Sequence, residues 1–158
     1  MLAQVAERLD AWVVERNLEA RAEGMLALPA CTIHLLGQSA LFEVGVPLTL
    51  AVTNDVDVRA DYAHAVEAEL RRLLKQAGKE LDPLGDEVWM PKETRYDVLF
   101  AGEFVTLKVA DVEAILISKA LKAPRKNRAL IVEYLARGAT PRFMSLARRY
   151  RVDLESFL

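Results

Sequence analysis

Apolar residues recur every three or four positions over residues 2–22 and predict an opening helix. Leu9 and Val13 belong to its apolar face, and Gly24 follows as a stop signal. The next apolar run, ALPACTIHLL, has the length of a strand. The chain therefore begins with a helix followed by a strand.

The tight turn Gly37-Gln38-Ser39 comes directly after this strand. Ser39 is expected to cap a helix that continues through Ala40, Leu41 and Phe42, with its hydroxyl turned toward the free amides of the first turn. Gly45 and Pro47 end that helix. The pattern predicts a strand, a tight turn and a short helix.

Strand and helix patterns alternate further along the chain. LTLAVTNDVDV is rich in β-branched residues and predicts a strand, and DYAHAVEAELRRLLKQAGK predicts a long amphipathic helix. Three short β-type segments follow, and the last two are joined across Ala101-Gly102 as an antiparallel hairpin: EVWMP, TRYDVLF and EFVTLKV. From Asp111 onward the chain is helical.

This order predicts an α/β (α+β) fold with a mixed β-sheet flanked by helices. Residues 1–109 form the opening helix and the α/β core, and residues 110–158 form a helical extension packed on that core. The 158 residues suit one ordinary domain, and the hydrophobic content of 53% excludes a disordered chain.

The charge and the cysteine content limit the expected binding partners and the expected cellular compartment. The net charge of −2 gives no global attraction to nucleic acid or anionic membranes, so such contacts need a local basic patch. Cys31 is the single cysteine, which excludes an internal disulfide and fits the cytoplasm. No apolar stretch reaches the roughly 20 residues that cross a bilayer, so no membrane partner is expected.

Candidate chemistry begins at Asp55 and Asp57 in TNDVDV. On a strand, both carboxylates project from one face while Val56 and Val58 point into the core. Two neighbouring carboxylates favour a cation between them, and Mg²⁺ prefers such oxygen ligands. A solvated strand end is the alternative interpretation for this pair alone.

Asp97 places another carboxylate within the apolar strand TRYDVLF. Such a charge is costly unless it is paired, bound to metal or exposed at a sheet edge. If the strands of Asp57 and Asp97 are neighbours, three carboxylates converge. This triad would suit nucleotidyl transfer with two divalent ions, and the amides of the Gly37 turn would hold phosphate.

These motifs occur in an order that resembles the DNA polymerase beta-like nucleotidyltransferase superfamily. LLGQSAL supplies the glycine and small residue of the turn, TNDVDV supplies the paired acids, and RYDVL supplies the third acid. The resemblance implies catalytic metal ligands at Asp55, Asp57 and Asp97, and a phosphate cradle at Gly37 and Ser39.

Within this superfamily, the chain resembles small bacterial nucleotidyltransferase-like proteins related to abortive-infection toxins. Thr53 and Lys119 match two of their features, and Arg125-Lys126-Asn127 resembles their Arg-Lys-Asp element. The resemblance adds Thr53, Lys119 and Lys126 to the nucleotide-binding residues. The chain departs from these relatives at Gln38, where many have a glycine, at Ala51, where they have an arginine, and at Asn127 in place of an acid.

The resemblance implies a Mg²⁺- or Mn²⁺-dependent enzyme that moves a nucleoside monophosphate from an NTP such as ATP to a hydroxyl of a protein, RNA or small molecule. The alternative is a catalytically weak nucleotide-binding or interaction module with an antitoxin-like partner. Lys119 and Lys126 hold phosphate in the first interpretation and belong to a solvated helix end in the second.

Other conspicuous residues have ordinary explanations. The basic terminal stretch RFMSLARRYR suggests RNA contact, but the acidic balance of the chain favours an amphipathic helix. His34 is expected to be a structural residue. Trp89 is expected to pack against other apolar residues, and its alternative role is to line a pocket for a nucleotide base.

Overall fold

Five strands form one mixed sheet in the computed structural model, which describes residues 1–158. The strands are β1 (Cys31–Leu36), β2 (Asp55–Ala60), β3 (Glu80–Leu81), β4 (Tyr96–Ala101) and β5 (Val105–Ala110). The helices are α1 (Leu2–Ala22), α2 (Gly37–Val44), α3 (His64–Gln76), α4 (Val112–Lys122), α5 (Arg128–Ala136) and α6 (Pro141–Arg149). No helix is both long and apolar enough to cross a membrane.

The strand order is β3-β2-β1-β5-β4, with β1 at the centre. Strand β1 is antiparallel to β2 and parallel to β5, while β3 is parallel to β2. Strands β4 and β5 form the expected antiparallel hairpin. The predicted α/β fold with a mixed sheet and flanking helices is confirmed.

One face of the sheet is apolar and is covered by helices α1 and α3. Ile33 and Leu35 of β1 lie there beside Val56 and Val58 of β2, all buried in a single core. The alternation in β2 follows directly from the strand period of two. The prediction that Val56 and Val58 enter the core is confirmed.

The other face is apolar only at one end, where Leu36 and Ala110 are buried. The segment between Glu87 and β4 crosses the sheet at that end. Arg59 holds the backbone carbonyl of Val88, and the Ser118 hydroxyl of α4 holds that of Trp89. Beyond this crossing, the sheet face is polar and partly exposed.

Helix α4 follows β5 directly and begins at Asp111, whose carboxylate accepts the N–H of Ala114 at 3.3 Å. Its residues Ile115, Leu116 and Ile117 are almost fully buried in the same core as the sheet. Helix α4 therefore has a fixed position beside the end of β1, next to helix α2.

Two segments with strand-like patterns are irregular. Residues 48–54 lie outside the sheet. The last residue of β1, Leu36, pairs with Asp57, so β1 does not extend far enough to pair with the residues before β2. The strand expected at EVWMP is absent, since the structure has a short 3-10 helix at Gly85–Glu87 and then loop. The two-residue strand β3 has no counterpart in the sequence pattern.

Candidate functional site

A cavity of about 460 Å³ lies where the turn between β1 and α2 meets β2, α4 and the loop after the 3-10 helix. Its lining combines one carboxylate beside the turn, three lysines and one face of an indole ring. The polar members are Asp57, Glu87, Ser118, Lys119, Lys122, Lys126 and Asn127, with Gly37 and Trp89 completing the entrance.

Two features of the structure require glycine at position 37. Its φ of +64° is a left-handed backbone conformation that side chains disfavour. A Cβ at this position would also overlap Oδ2 of Asp57. The turn therefore brings the backbone at the start of α2 directly against the Asp57 carboxylate, and the free amides of the first helical turn open beside it.

Asp57 carries the most perturbed carboxyl group at this site. Partial burial and the neighbouring charge of Asp82 raise its pKa from 3.8 to about 6, while the Lys119 ammonium opposes the shift. The carboxyl groups of Asp57 and Asp82 are within hydrogen-bonding reach. Near neutral pH, a proton or a cation is needed to relieve the repulsion within this pair.

Asp82 reaches this position because β3 runs parallel to β2. Glu80 pairs with Asp55 and Leu81 with Val56, and the N–H of Asp82 donates to the Val56 carbonyl at 2.9 Å. Its own Oδ1 accepts the N–H of Leu84 at 2.8 Å. Asp82 is the site residue that sequence reasoning misses, because a two-residue strand leaves no readable period.

Lys119 and Lys126 form a basic wall opposite the carboxylate. Burial and the charge of Lys126 lower the pKa of Lys119, while Asp57 acts in the opposite direction. Lys119 Nζ lies 3.5 Å from Oδ1 of Asn127, and Nδ2 of Asn127 donates to the Ala123 carbonyl at 3.0 Å. Asn127 thus orients Lys119 without offering a negative charge.

Ser39 and Thr53 fix the backbone around Asp55. The Ser39 hydroxyl donates to the Asp55 carbonyl at 2.9 Å, and the N–H of Asp55 donates to Thr53 Oγ1 at 3.1 Å. The expectation that Ser39 caps helix α2 is wrong, since the helix begins at Gly37 and Leu36 is its N-cap without a side-chain bond. The Asp55 side chain itself is exposed and does not line the cavity.

Two of the departures from the resembled family contact each other. Nε2 of Gln38 donates to the backbone carbonyl of Ala51 at 3.1 Å. The bond connects the turn to the irregular segment before β2. Gln38 therefore has a local role in holding this segment, outside the lining of the cavity.

The structure does not bring Asp97 to the other two acids. Asp97 pairs with Val109 of β5, and β5 and β1 both lie between its strand and β2. The register through Leu35 places Asp97 in one row with Val58, so it is on the opposite face from Asp57. Three inter-strand spacings amount to about 14 Å. The expected convergence of Asp55, Asp57 and Asp97 is absent.

Trp89 forms the wall beyond the lysines. The Lys122 ammonium lies 5.1 Å from the centre of the indole ring, and Tyr150 packs edge-on against that ring at 5.3 Å. Trp89 and Met90 both line the cavity, as the alternative role for Trp89 requires. A flat apolar surface therefore faces a region rich in ammonium groups.

The donor chemistry of the cavity suits a divalent cation carried by a phosphate ligand. No group of three or more histidine, cysteine, aspartate or glutamate side chains is arranged to hold a metal alone. The adjacent carboxyl groups of Asp57 and Asp82 supply two oxygen donors. Mg²⁺ is commonly bound by one or two carboxylates with substrate phosphates completing its shell, so these residues fit that ion.

Comparisons with known proteins give no relative from which a role for this site could be taken. No protein-family model, curated protein or solved structure matches the chain.

Proposed function

We propose that the protein is a Mg²⁺-dependent nucleotidyltransferase that moves a nucleoside monophosphate from an NTP to an acceptor hydroxyl. The observation that carries the proposal is that Gly37, Asp57, Lys119 and Lys126 line one cavity. These four residues come from separate parts of the chain and combine a carboxylate, free helix amides and two ammonium groups. An NTP with its cation needs this combination.

Each wall of the cavity has a role in this reaction. The amides at the start of α2, together with Lys119 and Lys126, bind phosphate oxygens, and Trp89 offers a surface for the base. Asp57 and Asp82 are the residues that would hold Mg²⁺ or Mn²⁺. When bound there, such an ion would supply positive charge to the phosphates.

The transfer exchanges one phosphorus–oxygen bond for another and releases one proton. The acceptor oxygen forms a bond to the α-phosphorus, the bond from that phosphorus to the bridging oxygen breaks, and pyrophosphate leaves. The proton of the hydroxyl goes to a carboxylate oxygen of the Asp57 and Asp82 pair that does not contact the ion. Without the ion, the pKa of Asp57 is about 6, so the pair can take up either a proton or a cation near neutral pH.

A nucleotide-binding module with weak or no transfer activity is the second candidate. It is favoured by the remote position of Asp97 and by Asn127, which orients Lys119 where the resembled family has an acid. Such a module would bind an NTP through the same lysines and turn, and an antitoxin-like protein would be a suitable partner.

Incubation with α-labelled NTPs, Mg²⁺ or Mn²⁺ and cell extract separates the two candidates. We expect label on a macromolecule or small acceptor, and loss of that label with Asp57→Ala. Lys119→Gln should weaken NTP binding by about tenfold, since it removes a partly buried ammonium from the phosphates. Lys75→Gln is the matched control, because Lys75 is exposed on α3 and does not line the cavity.

Binding must be measured alongside transfer. If wild type binds NTP but labels no acceptor with any nucleotide, the binding module is correct. If neither Lys119→Gln nor Asp57→Ala changes NTP binding relative to Lys75→Gln, the cavity is not the nucleotide site and both candidates are wrong.

A further inference from the structure

The polar face of the sheet continues from the candidate site along the strands. Arg59 lies two residues after Asp57 on β2 and shares its face, about 7 Å further along. The register places Arg59 beside His34, His34 beside Lys108, and Lys108 beside Val98. We call this row of four residues across β2, β1, β5 and β4 the basic row.

The basic row is open to solvent on a sheet whose other face is covered by helices α1 and α3 over most of its strands. His34 and Lys108 are partly exposed, Arg59 is exposed, and 55% of the Val98 surface is accessible. Two central strands are thus left with a polar surface. One solvated face is common for antiparallel sheets, but here it occurs at β1 and β5, which run parallel and are normally buried on both sides.

The charges of this row have no acidic partner, although the Arg59 guanidinium donates to the backbone carbonyl of Val88. Neither Arg59 nor Lys108 forms an ion pair, and the row itself contains no carboxylate. Burial is the main cause that lowers the pKa of His34, and the charges of Lys108 and Arg59 lower it further. Three cationic or basic side chains thus lie close together and lack an anion.

An aromatic ring lies next to these charges. Tyr96 packs edge-on against His34, with 4.5 Å between the ring centres, and Arg59 is close enough to lower the Tyr96 pKa against the larger effect of burial. Unpaired bases stack on such rings, while arginine and lysine hold the phosphates of the same strand. The basic row spans about 14 Å, enough for a short single strand.

We propose that this face binds single-stranded RNA and guides its end, as the acceptor, toward Asp57. The inference rests on the proposed function in naming the acceptor, but the binding itself needs neither nucleotide nor metal. Charge complementarity selects the occupant: a polyanion satisfies Arg59 and Lys108, and unpaired bases satisfy Tyr96. Arg59 and Asp57 share this face and are about 7 Å apart, with the Val88 segment crossing between them, so the end of a strand held at Arg59 lies close to the cavity.

Fluorescence anisotropy with an unpaired, labelled RNA of about 12 nucleotides tests the surface. The assay contains EDTA and no NTP, so it is independent of transfer. We expect the double variant Arg59→Gln/Lys108→Gln to bind about tenfold more weakly than wild type at low salt. The dependence of log affinity on log salt should flatten by about 1.4, or about 0.7 for each phosphate that the variant no longer neutralises.

The matched control is Lys75→Gln/Arg21→Gln, which removes two exposed cations from helices α3 and α1 on the other side of the sheet. It should bind RNA within about twofold of wild type, since the phosphates do not reach it. Tyr96→Leu keeps apolar bulk and should weaken binding by about fivefold, because the aromatic stacking surface is removed. Thermal unfolding of each variant verifies that it is folded.

The outcomes separate this inference from the proposed function. Equal RNA affinity of the basic-row and control variants overturns it, as does an absence of RNA binding at about 50 mM salt. Preference for duplex RNA, or a dimer that the basic-row variant dissociates, also overturns it. Wild-type protein that binds RNA through the basic row but transfers no label would refute only the nucleotidyltransferase proposal.

Discussion

The carboxyl group of Asp57 on β2 meets that of Asp82, which directly follows β3, within hydrogen-bonding reach. This contact joins two residues 25 positions apart in the chain. Asp57 lines the cavity that also contains Gly37 and Lys119, and Asp82 lines a neighbouring cavity. The pair makes both stability and ligand binding sensitive to pH and to divalent cations.

Asp57→Asn should stabilise the protein at neutral pH but not at acidic pH. The pKa of Asp57 is raised from 3.8 to about 6, so its ionised form is disfavoured in the folded state. The wild-type protein is therefore most stable with respect to this group below about pH 4, and it loses that stability as the pH rises through about 6. A pKa difference of about two corresponds to at most about 3 kcal/mol, and partial exposure reduces this to about 1 kcal/mol.

Urea unfolding at pH 4 and pH 7.5 checks this expectation. The variant should match wild type at pH 4 and be about 1 kcal/mol more stable at pH 7.5. Asp97→Asn controls for loss of a carboxylate elsewhere on the sheet. An equal gain for both variants, or a gain confined to pH 4, would contradict the predicted interaction with Asp82.

Asp82 should be essential for transfer, and Asp97 dispensable. Asp82 adjoins Asp57, whereas Asp97 lies on the opposite face with two strands between. We expect Asp82→Asn to reduce transfer by at least about 100-fold, the usual scale for a lost proton acceptor or metal ligand. The transfer rate of Asp97→Asn should stay within about threefold of wild type. Initial rates at saturating NTP measure the effect of both variants. The reverse ranking would restore Asp97 as the third acid.

The second readout for Asp82 is metal binding. Mg²⁺ should raise the unfolding temperature of wild type at pH 7.5, because a cation relieves the repulsion between the two carboxylates. Asp82→Asn should lose most of this increase, whereas Asp97→Asn should keep it. An equal response of all three proteins would show that the ion binds elsewhere.

Gly37→Ala should be more damaging than the same change at Gly24. Both glycines have positive φ, +64° and +68°, so each alanine costs about 1 kcal/mol for the left-handed backbone. Only at Gly37 does the new Cβ overlap Asp57, whereas nothing lies within 4 Å at Gly24. We expect Gly37→Ala to lose at least about 1 kcal/mol more in urea unfolding, and to weaken NTP binding.

Gly24→Ala should bind NTP like wild type, because Gly24 follows helix α1 and does not line the cavity. Similar losses for the two variants would mean that Asp57 shifts away without cost. In that case the close approach of the turn to the carboxylate would not matter for binding.

Asp10 should be a key stabilising residue far from the site. Its carboxylate accepts the N–H groups of Phe104 and Val105 at 2.8 and 2.9 Å, and of Glu103 at 3.2 Å. Asp10→Ala leaves these donors of the β4–β5 turn without a partner, and we expect a loss of about 2–3 kcal/mol in urea unfolding. Asp10→Asn keeps one acceptor oxygen and should lose about half as much. Equal stability of Asp10→Ala and wild type would contradict this role.

Local patterns are sufficient for all six helices, for four of the five strands and for half of the candidate site. Strand alternation correctly places Asp55 and Asp57 on one face of β2, and the order of glycine and acids correctly brings Gly37 to Asp57. Lys119 is also expected near phosphate, and the structure places it in the same cavity. These relationships depend on short stretches of chain and on one helix that follows the sheet.

Strand order could not be deduced in the same way. Insertion of β5 between β1 and β4 separates Asp97 from Asp57, and no residue near Asp97 signals that insertion. The pairing of Asp82 depends on β3, which has only two residues and gains its position from β2. Both outcomes follow from contacts between distant segments, which periodicity does not encode.

The central position of β1 has a consequence for synthesis of the chain. Residues 31–36 cannot gain their second neighbouring strand until residues 105–110 have left the ribosome, because β5 is that neighbour. Until then the nascent sheet exposes the unpaired edge of its most apolar strand. Chains interrupted between β2 and β5 are therefore expected to be clients of chaperones, whereas completion of the β4–β5 hairpin closes the edge in a single late step.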